Sequence, residues 1–577
     1  MDVQLEIRPL EVEGVMVEGL RWGSQADALN RQRTAASIQS VISTEQIERF
    51  LQASAGGGWH QHGLGPNAQA SVAYGNRFGD LGLVLRGSFR RNDMMMDDIR
   101  YFWGTEDFGN GGVDVLNQLR LGSYQTERDR WALSGRADYN VSDQTTLIVR
   151  GLFNYFDKHG TRHQFRVRPE SGDHLAFGVV EGGRLETIGR QNRRTQFLST
   201  LGVGMEAVAG PFNVDANVSG GFGRHKQPYQ RYLNHRLGGV DLAYDISNTR
   251  RAEWEVMNGP ENQAFDPARI PFLRHEDRTD DVQDRDFNAR MNFELPYRAA
   301  GAQGSFQFGG RFFQKEKDRE FWVRRFFPDR DDRGRWMLSD LNGNGEHRAL
   351  LGRYRIGHSV DWGRGMQFLE ENFHLLEEDV DRTFEICASQ NYEASESVTA
   401  GYAMTTLDWG AWTLLGGVRL ERTANSYVGK QTLFDEDGSF VEMNPIDRGN
   451  SYVNVFPSAH LRYRASDRTN FRLAWTNALA RPNFTDLAPT EFIDGDAPRI
   501  TRGNPELEPS LVQNVDLLAE HYFEPLGLLS GGVFCKRLTD FFFGSVDRIQ
   551  GGALDGFEVL QPRNGASADL WGAEIAW

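Results

Sequence analysis

His275-Glu276 opens like a zinc-hydrolase pair, but no second histidine follows at the helical spacing such a site requires. No G-x-S-x-G nucleophile turn occurs either. Asp340-Leu341-Asn342-Gly343-Asn344-Gly345 matches the first half of a calcium loop, yet its twelfth position is Leu351 instead of a bidentate glutamate. That excludes an EF-hand and leaves a looser loop site or, the better reading, a polar turn. Cys387 and Cys535 make neither a disulfide framework nor a zinc site. The acidic stretch 377–381 reads as a solvated loop face. Catalysis, a resident metal and a cofactor are therefore not expected. Binding chemistry is better represented. Asp97, Asp98, Tyr101 and Trp103 set aromatics beside charges, as do Trp322 and Arg324. Flat rings with hydrogen-bonding neighbours suit sugars and equally suit ring-bearing iron chelates. The competing reading is that these side chains pack loops against one another.

Such residues need a scaffold, and composition narrows it. The chain has 577 residues, 63 of them glycine, with 12% aromatic residues and 25% charged. Mean hydropathy is −0.54. That aromatic content excludes ordinary disorder. A net charge of −16 without a basic stripe argues against nucleic acid as a partner. No run of about 18 apolar residues exists, so no transmembrane helix is expected. Met1-Asp2-Val3-Gln4 begins neither a basic nor an apolar leader. A polar chain rich in glycine and aromatics suits strands with one face in lipid and one in water.

The periodicity is two. In 212–219 every even residue is apolar and every odd one polar, and 287–295 and 131–139 alternate likewise. The register expected is Phe212, Val214, Val218, Phe287, Met291 and Phe293 outward, with Asn213, Asp215, Asn217, Asn288, Arg290 and Asn292 toward a lumen. Sixteen strands are read, near 51–60, 68–78, 81–92, 128–141, 144–157, 192–209, 211–224, 283–298, 303–315, 395–408, 411–424, 452–465, 469–480, 512–524, 528–540 and 565–577. Short turns such as 76–80, 141–144 and 465–468 alternate with long connections at 93–127, 158–191, 225–282, 316–394, 425–451, 481–511 and 541–564. A soluble sandwich shares the periodicity but has no reason to keep its long loops at one end. The expected fold is all-β: a transmembrane antiparallel outer-membrane β-barrel with short periplasmic turns and long external loops.

Several strings now resemble one family in order and spacing. Gly416-Gly417-Val418-Arg419-Leu420-Glu421-Arg422-Thr423, Phe456-Pro457-Ser458, Ala480-Arg481-Pro482 and Gly503-Asn504-Pro505-Glu506-Leu507 resemble barrel elements of TonB-dependent outer-membrane receptors. Residues 26–33 and 38–47 resemble the opening of that family's plug domain. Val12, Glu13, Gly14, Val15, Met16 and Val17 resemble the extended segment that engages TonB, where strand pairing supplies main-chain hydrogen bonds. An ordered first plug strand is the equal alternative.

The resemblance implies a periplasmic segment and truncated plug over 1–50 and an incomplete barrel over 51–577. It implies about 16 of 22 strands, with most of the plug and the last strands missing. It also implies a place in the Gram-negative outer membrane, with lipid, TonB and an extracellular small-molecule ligand as partners. The plug opening favours an oligosaccharide over a siderophore. A passive 16-stranded porin is the alternative, and it requires the first and last strands to pair.

Overall fold

The computed structural model describes residues 49–60, 65–109, 111–248, 252–260, 263–299, 301–350, 352–434, 440–494, 499–523, 527–552 and 554–577. The segment Val12–Val17 lies outside them, as does nearly all of 1–50. Sixteen long strands follow one another antiparallel: β1 (Phe50–Trp59), β2 (Pro66–Phe78), β3 (Leu81–Asp107), β4 (Gly112–Ser142), β5 (Thr145–Arg168), β6 (Val179–Ala209), β7 (Phe212–Asp245) and β8 (Phe272–Ala299). They continue as β9 (Ala302–Pro328), β10 (Tyr392–Trp409), β11 (Trp412–Phe434), β12 (Phe440–Ser466), β13 (Thr469–Ala480), β14 (Ser510–Tyr522), β15 (Leu528–Thr539) and β16 (Ser567–Ala576). Three short strands, Asp173–Ala176, Glu253–Val256 and Leu376–Glu378, extend the same sheet.

The register confirms which side chains share a face. Arg290 sits opposite Asn217 and Arg311, and Asn292 opposite Asp215 and Gly309. Asn292 donates to Asp215 at 3.0 Å, and Tyr402 donates to Asn292 at 3.0 Å. This polar face is concave, because contacts cross it between strands that are not neighbours. Arg481, just after β13, reaches Glu396 of β10 at 3.5 Å, and the Lys315 ammonium of β9 lies 5.7 Å from the Phe484 ring. The other face carries the apolar set. Phe212 meets Phe293 at 6.2 Å and Phe308 at 6.3 Å, a lower aromatic girdle. An upper girdle joins Phe89 to Trp131, Phe153 to Phe197 and Phe197 to Phe222. About ten residues separate the girdles along β7, a tilted bilayer crossing.

The long connections at 93–127, 158–191, 225–282 and 425–451 are not loops for most of their length. β3 runs to Asp107 and β4 begins at Gly112, while β5 to β8 also continue far above the upper girdle. The alternation signal fades there because both faces meet water or packed protein, whereas the backbone ladder continues. β7 shows how register survives that height. Arg193 pairs with Tyr229 but Thr195 with Lys226; likewise Arg278 pairs with Gln230 but Asp280 with Gln227. One extra residue is therefore bulged out of β7 around Pro228, which lacks an N–H to give to a ladder. Below the bulge odd residues of β7 face the lumen, and above it even residues do.

The connection between β9 and β10 folds into structure of its own: a hairpin (Asn342–Ala349 with Tyr354–Val360), helix α1 (Trp362–Asn372) and helix α2 (Val380–Gln390). Asp361 and Asp379 cap the helices, accepting from the Arg364 and Arg382 amides. Helix α2 packs Ile386 and Cys387 on Phe321 and Val323 inside the lumen.

Among the described residues β1 pairs only with β2 and β16 only with β15. No ladder joins the first long strand to the last, and Trp571 and Ile575 are more than three-quarters exposed.

Candidate functional site

The high inner wall of β4 to β8 encloses a cavity of about 550 Å³ whose lining includes eight arginines but only two glutamates, Glu186 and Glu276. Strand geometry produces it. Arg120 on β4, Arg166 on β5 and Glu186 on β6 stand side by side, and two rungs lower on the same face so do Tyr124, Arg162, Arg190 and Tyr232. Glu186 is shared by Arg166 at 3.5 Å, Arg168 at 3.2 Å and Arg236 at 2.8 Å. Glu276 takes Arg278 and, at 2.9 Å, Arg325. Burial opposes ionisation of both carboxylates, but the surrounding guanidiniums outweigh it and hold their pKa below the usual range.

The remaining arginines are less well matched. Arg162 and Arg190 both lie over the Tyr124 ring, at 5.8 and 5.9 Å. Their buried Nε atoms have no hydrogen-bond partner among the described residues. Burial, then repulsion from Arg120, brings Arg166 down to about 10, and burial with Arg162 and Arg100 lowers Arg120. In a chain of net charge −16 this is a local reversal of sign. It can hold anionic groups through forked, charge-assisted hydrogen bonds.

The six side chains singled out from the sequence do not converge. They stand on strands β3 and β9, not on loops. Asp98 shares the arginine face, pairing with Arg100 at 2.8 Å and lying near Arg120. Asp97 and Tyr101 point to the opposite face, where they hold connections in place. Asp97 accepts from the Leu350 amide at 2.9 Å, and the Tyr101 oxygen accepts from the Ala252 amide at 3.4 Å. Trp103 stacks on Tyr101 with ring centres 6.1 Å apart. Trp322 and Arg324 lie on the outer face of β9, and Arg324 grips Glu378 at 2.5 Å. Packing of connections, the competing reading, describes Asp97 and Tyr101.

The sequence reading missed the arginines themselves. Their signal was present: Arg162, Arg166 and Arg168, then Arg184 and Arg190, and then Arg274 and Arg278, are all even-numbered. All seven fall in the connections 158–191 and 225–282, read as loops, where a period of two is not sought.

Opposite the arginines, the hairpin docks on β5 through histidines. His163 Nε2 donates to the Ile356 carbonyl at 2.7 Å, and the His163 and His347 rings are 5.6 Å apart. Burial, with His347 and His358 nearby, holds His163 at about 4. Among the described residues no group of three His, Cys, Asp or Glu side chains could hold a metal ion.

Residues 210–577 match the family model described as TonB dependent receptor-like, beta-barrel. The chain belongs to that family, and its place is the Gram-negative outer membrane. Among solved structures it is similar to the hemophore receptor HasR of Serratia marcescens, at 10% identity and TM-score 0.47, covering 91% of this chain and 60% of that one. It is also similar to the ferric-catecholate import receptor Fiu of E. coli, at 11% identity and TM-score 0.47, covering 93% and 63%. The copper transporter OprC is a third, at 13% identity and TM-score 0.44, covering 92% and 59%. The chain thus spans about three-fifths of the length of these receptors. No curated protein matches it. The porin alternative loses its main requirement, a ladder between β1 and β16, which is absent among the described residues.

Proposed function

We propose that this chain forms the barrel of a TonB-dependent receptor that captures an anionic solute and imports it on energy delivered through TonB. The observation that carries the reading is the arginine wall. A neutral oligosaccharide would leave its guanidiniums unanswered, whereas an acidic oligosaccharide or an anionic iron chelate would pair with them. The sequence preference for carbohydrate is therefore narrowed to sugars bearing acid groups, and siderophores stand level with them. Asp98, beside Arg120, would set one edge of the site. Val12–Val17 would supply the strand that pairs with TonB, and 1–50 the beginning of the plug. Titration calorimetry of the purified protein with ferric tris-catecholate, oligogalacturonate and maltoheptaose tests this. One of the two anionic probes should bind, and binding should weaken as salt rises. Salt-independent binding of maltoheptaose alone would overturn it.

A further inference from the structure

Below the cavity, just above the upper girdle, one rung of the wall is cationic across three adjacent strands. Arg128 of β4 stands opposite Lys158 of β5, and Lys158 opposite Arg194 of β6. Neighbouring strands are about 4.8 Å apart, and like charges set directly opposite destabilise a sheet. The acids adjacent in sequence give no relief, because alternation sends them to the other face. There Glu127 and Asp129 meet Arg91, and Asp157 meets Arg193 at 2.8 Å. Along the rung the flanking residues are Asn92, opposite Arg128, and Gln227, whose oxygen accepts from Arg194 at 3.5 Å. Beyond Gln227 comes Asp280, already paired with Arg319 at 3.1 Å. The Nε atoms of Arg128 and Arg194 are buried without a hydrogen-bond partner among the described residues. Burial first, then Arg128, Arg194 and Arg190, brings the Lys158 ammonium down to about 8.

We propose that Arg128, Lys158 and Arg194 form a binding site for an oxyanion group of phosphate, sulfate or carboxylate type, carried by a solute in the lumen. The three cations present one ammonium between two guanidiniums, with amide side chains at each end to complete the hydrogen bonding. The site deepens the proposed reading by naming where a charged group of the solute lodges on its way down from the cavity. It concerns anion binding alone, so a failed import assay would leave it standing.

Lysine is rare in this chain, which makes Lys158 addressable. The full chain, folded in detergent, is acetylated at pH 8 and each lysine's rate is read by mass spectrometry, with pyrophosphate, sulfate or citrate added. At least one probe should slow Lys158 tenfold or more, while the exposed Lys226 keeps its rate. The probe acting at the lowest concentration identifies the oxyanion type. In Arg128→Gln and Arg194→Gln the concentration needed should rise at least tenfold, and in Arg193→Gln, on the outer face, it should not change. Lys158 unaffected by all three probes in the native chain overturns the site, whatever the variants do. Equal protection of Lys158 and Lys226, or undiminished protection in Arg128→Gln/Arg194→Gln, overturns it too.

Discussion

Two walls of the same lumen treat charge in opposite ways. On the β10 to β14 side, arginines meet carboxylates: Arg481 meets Glu396 and Glu421, Arg419 shares Glu421 at 2.8 Å, and Arg472 meets Glu520 at 2.7 Å. The last pair is almost fully buried. On the β4 to β6 side Arg128, Lys158, Arg162, Arg190 and Arg194 crowd together with no carboxylate in salt-bridge range among the described residues. Matched pairs tie strands together, Arg472–Glu520 between neighbours and Arg481 across the lumen to β10 and β11. Unmatched cations contribute nothing to such ties and raise the energy of the empty wall. The difference teaches that the first wall is built to hold the chain together and the second to hold something else.

The largest effect should come from breaking a matched pair. Arg472→Ala leaves Glu520 buried without its closest partner and should cost about 3 to 5 kcal/mol. Arg128→Gln, on the other wall, should leave stability unchanged or raise it. Urea unfolding in detergent, followed by tryptophan fluorescence, would contradict the comparison if both variants lost stability equally.

Next comes the histidine-docked face. His163 titrates near 4 in the fold against 6.5 for the free side chain. Its neutral form is the one the fold accepts, so its contribution is fully present above pH 6.5 and is lost as pH falls toward 4. The loss should approach about 3 kcal/mol. Stability measured at pH 7 and pH 4 should therefore drop further in the native chain than in His163→Phe. An identical drop would mean the hairpin does not sense that proton.

A smaller change separates the walls by binding. Arg162→Glu should weaken binding of the anion that protects Lys158 at least tenfold, about 1.4 kcal/mol, with the Lys158 acetylation rate as readout. Arg481→Gln should leave it within twofold. Loss of binding in both would erase the distinction between the walls. Smallest of all, Trp322→Ala, on the outer face of β9, should change binding of the same anion less than twofold and stability by no more than about 0.5 kcal/mol. A larger binding effect would return that face to consideration as a ligand surface.

The lower barrel was legible because lipid enforces the pattern. Phe212, Val214 and Phe293 alternate with Asn213, Asp215 and Asn292 across a bilayer that tolerates no slip, and all sixteen long strands were found near their observed places. Above the girdle that constraint ends. Leu119, Leu121, Phe165 and Val167 are buried under the connections after β7 and β9, so their strands have an apolar face that lipid never touches. The sequence announces neither the partner of that face nor where those connections fold. Tyr101 illustrates the limit: an aromatic beside charges reads as a ligand contact, yet its hydroxyl closes onto the backbone of Ala252. Arg162 and Arg190 illustrate the converse, since their meaning comes from lying side by side on strands 28 residues apart in the chain.

The bulge at Pro228 has a consequence for the gene. It switches which half of β7's codons specify lumen chemistry, while the neighbouring strands keep theirs: Arg190 and Glu206 on β6, and Arg278 and Asn292 on β8, are all even-numbered and face the lumen. Losing the one codon for Pro228 would close the bulge and keep Tyr232, Asn234 and Arg236 on the cavity wall, with Asp215 and Asn217 in place, because the partner strands leave that residue unpaired. A single-codon insertion beside it would add a second surplus residue and force a wider bulge or turn the same set away from the cavity. A library of single-codon deletions along β7 should therefore spare the fold around codon 228 and disrupt it in the regular ladder below, where one lost residue turns every side chain beyond it to the other face.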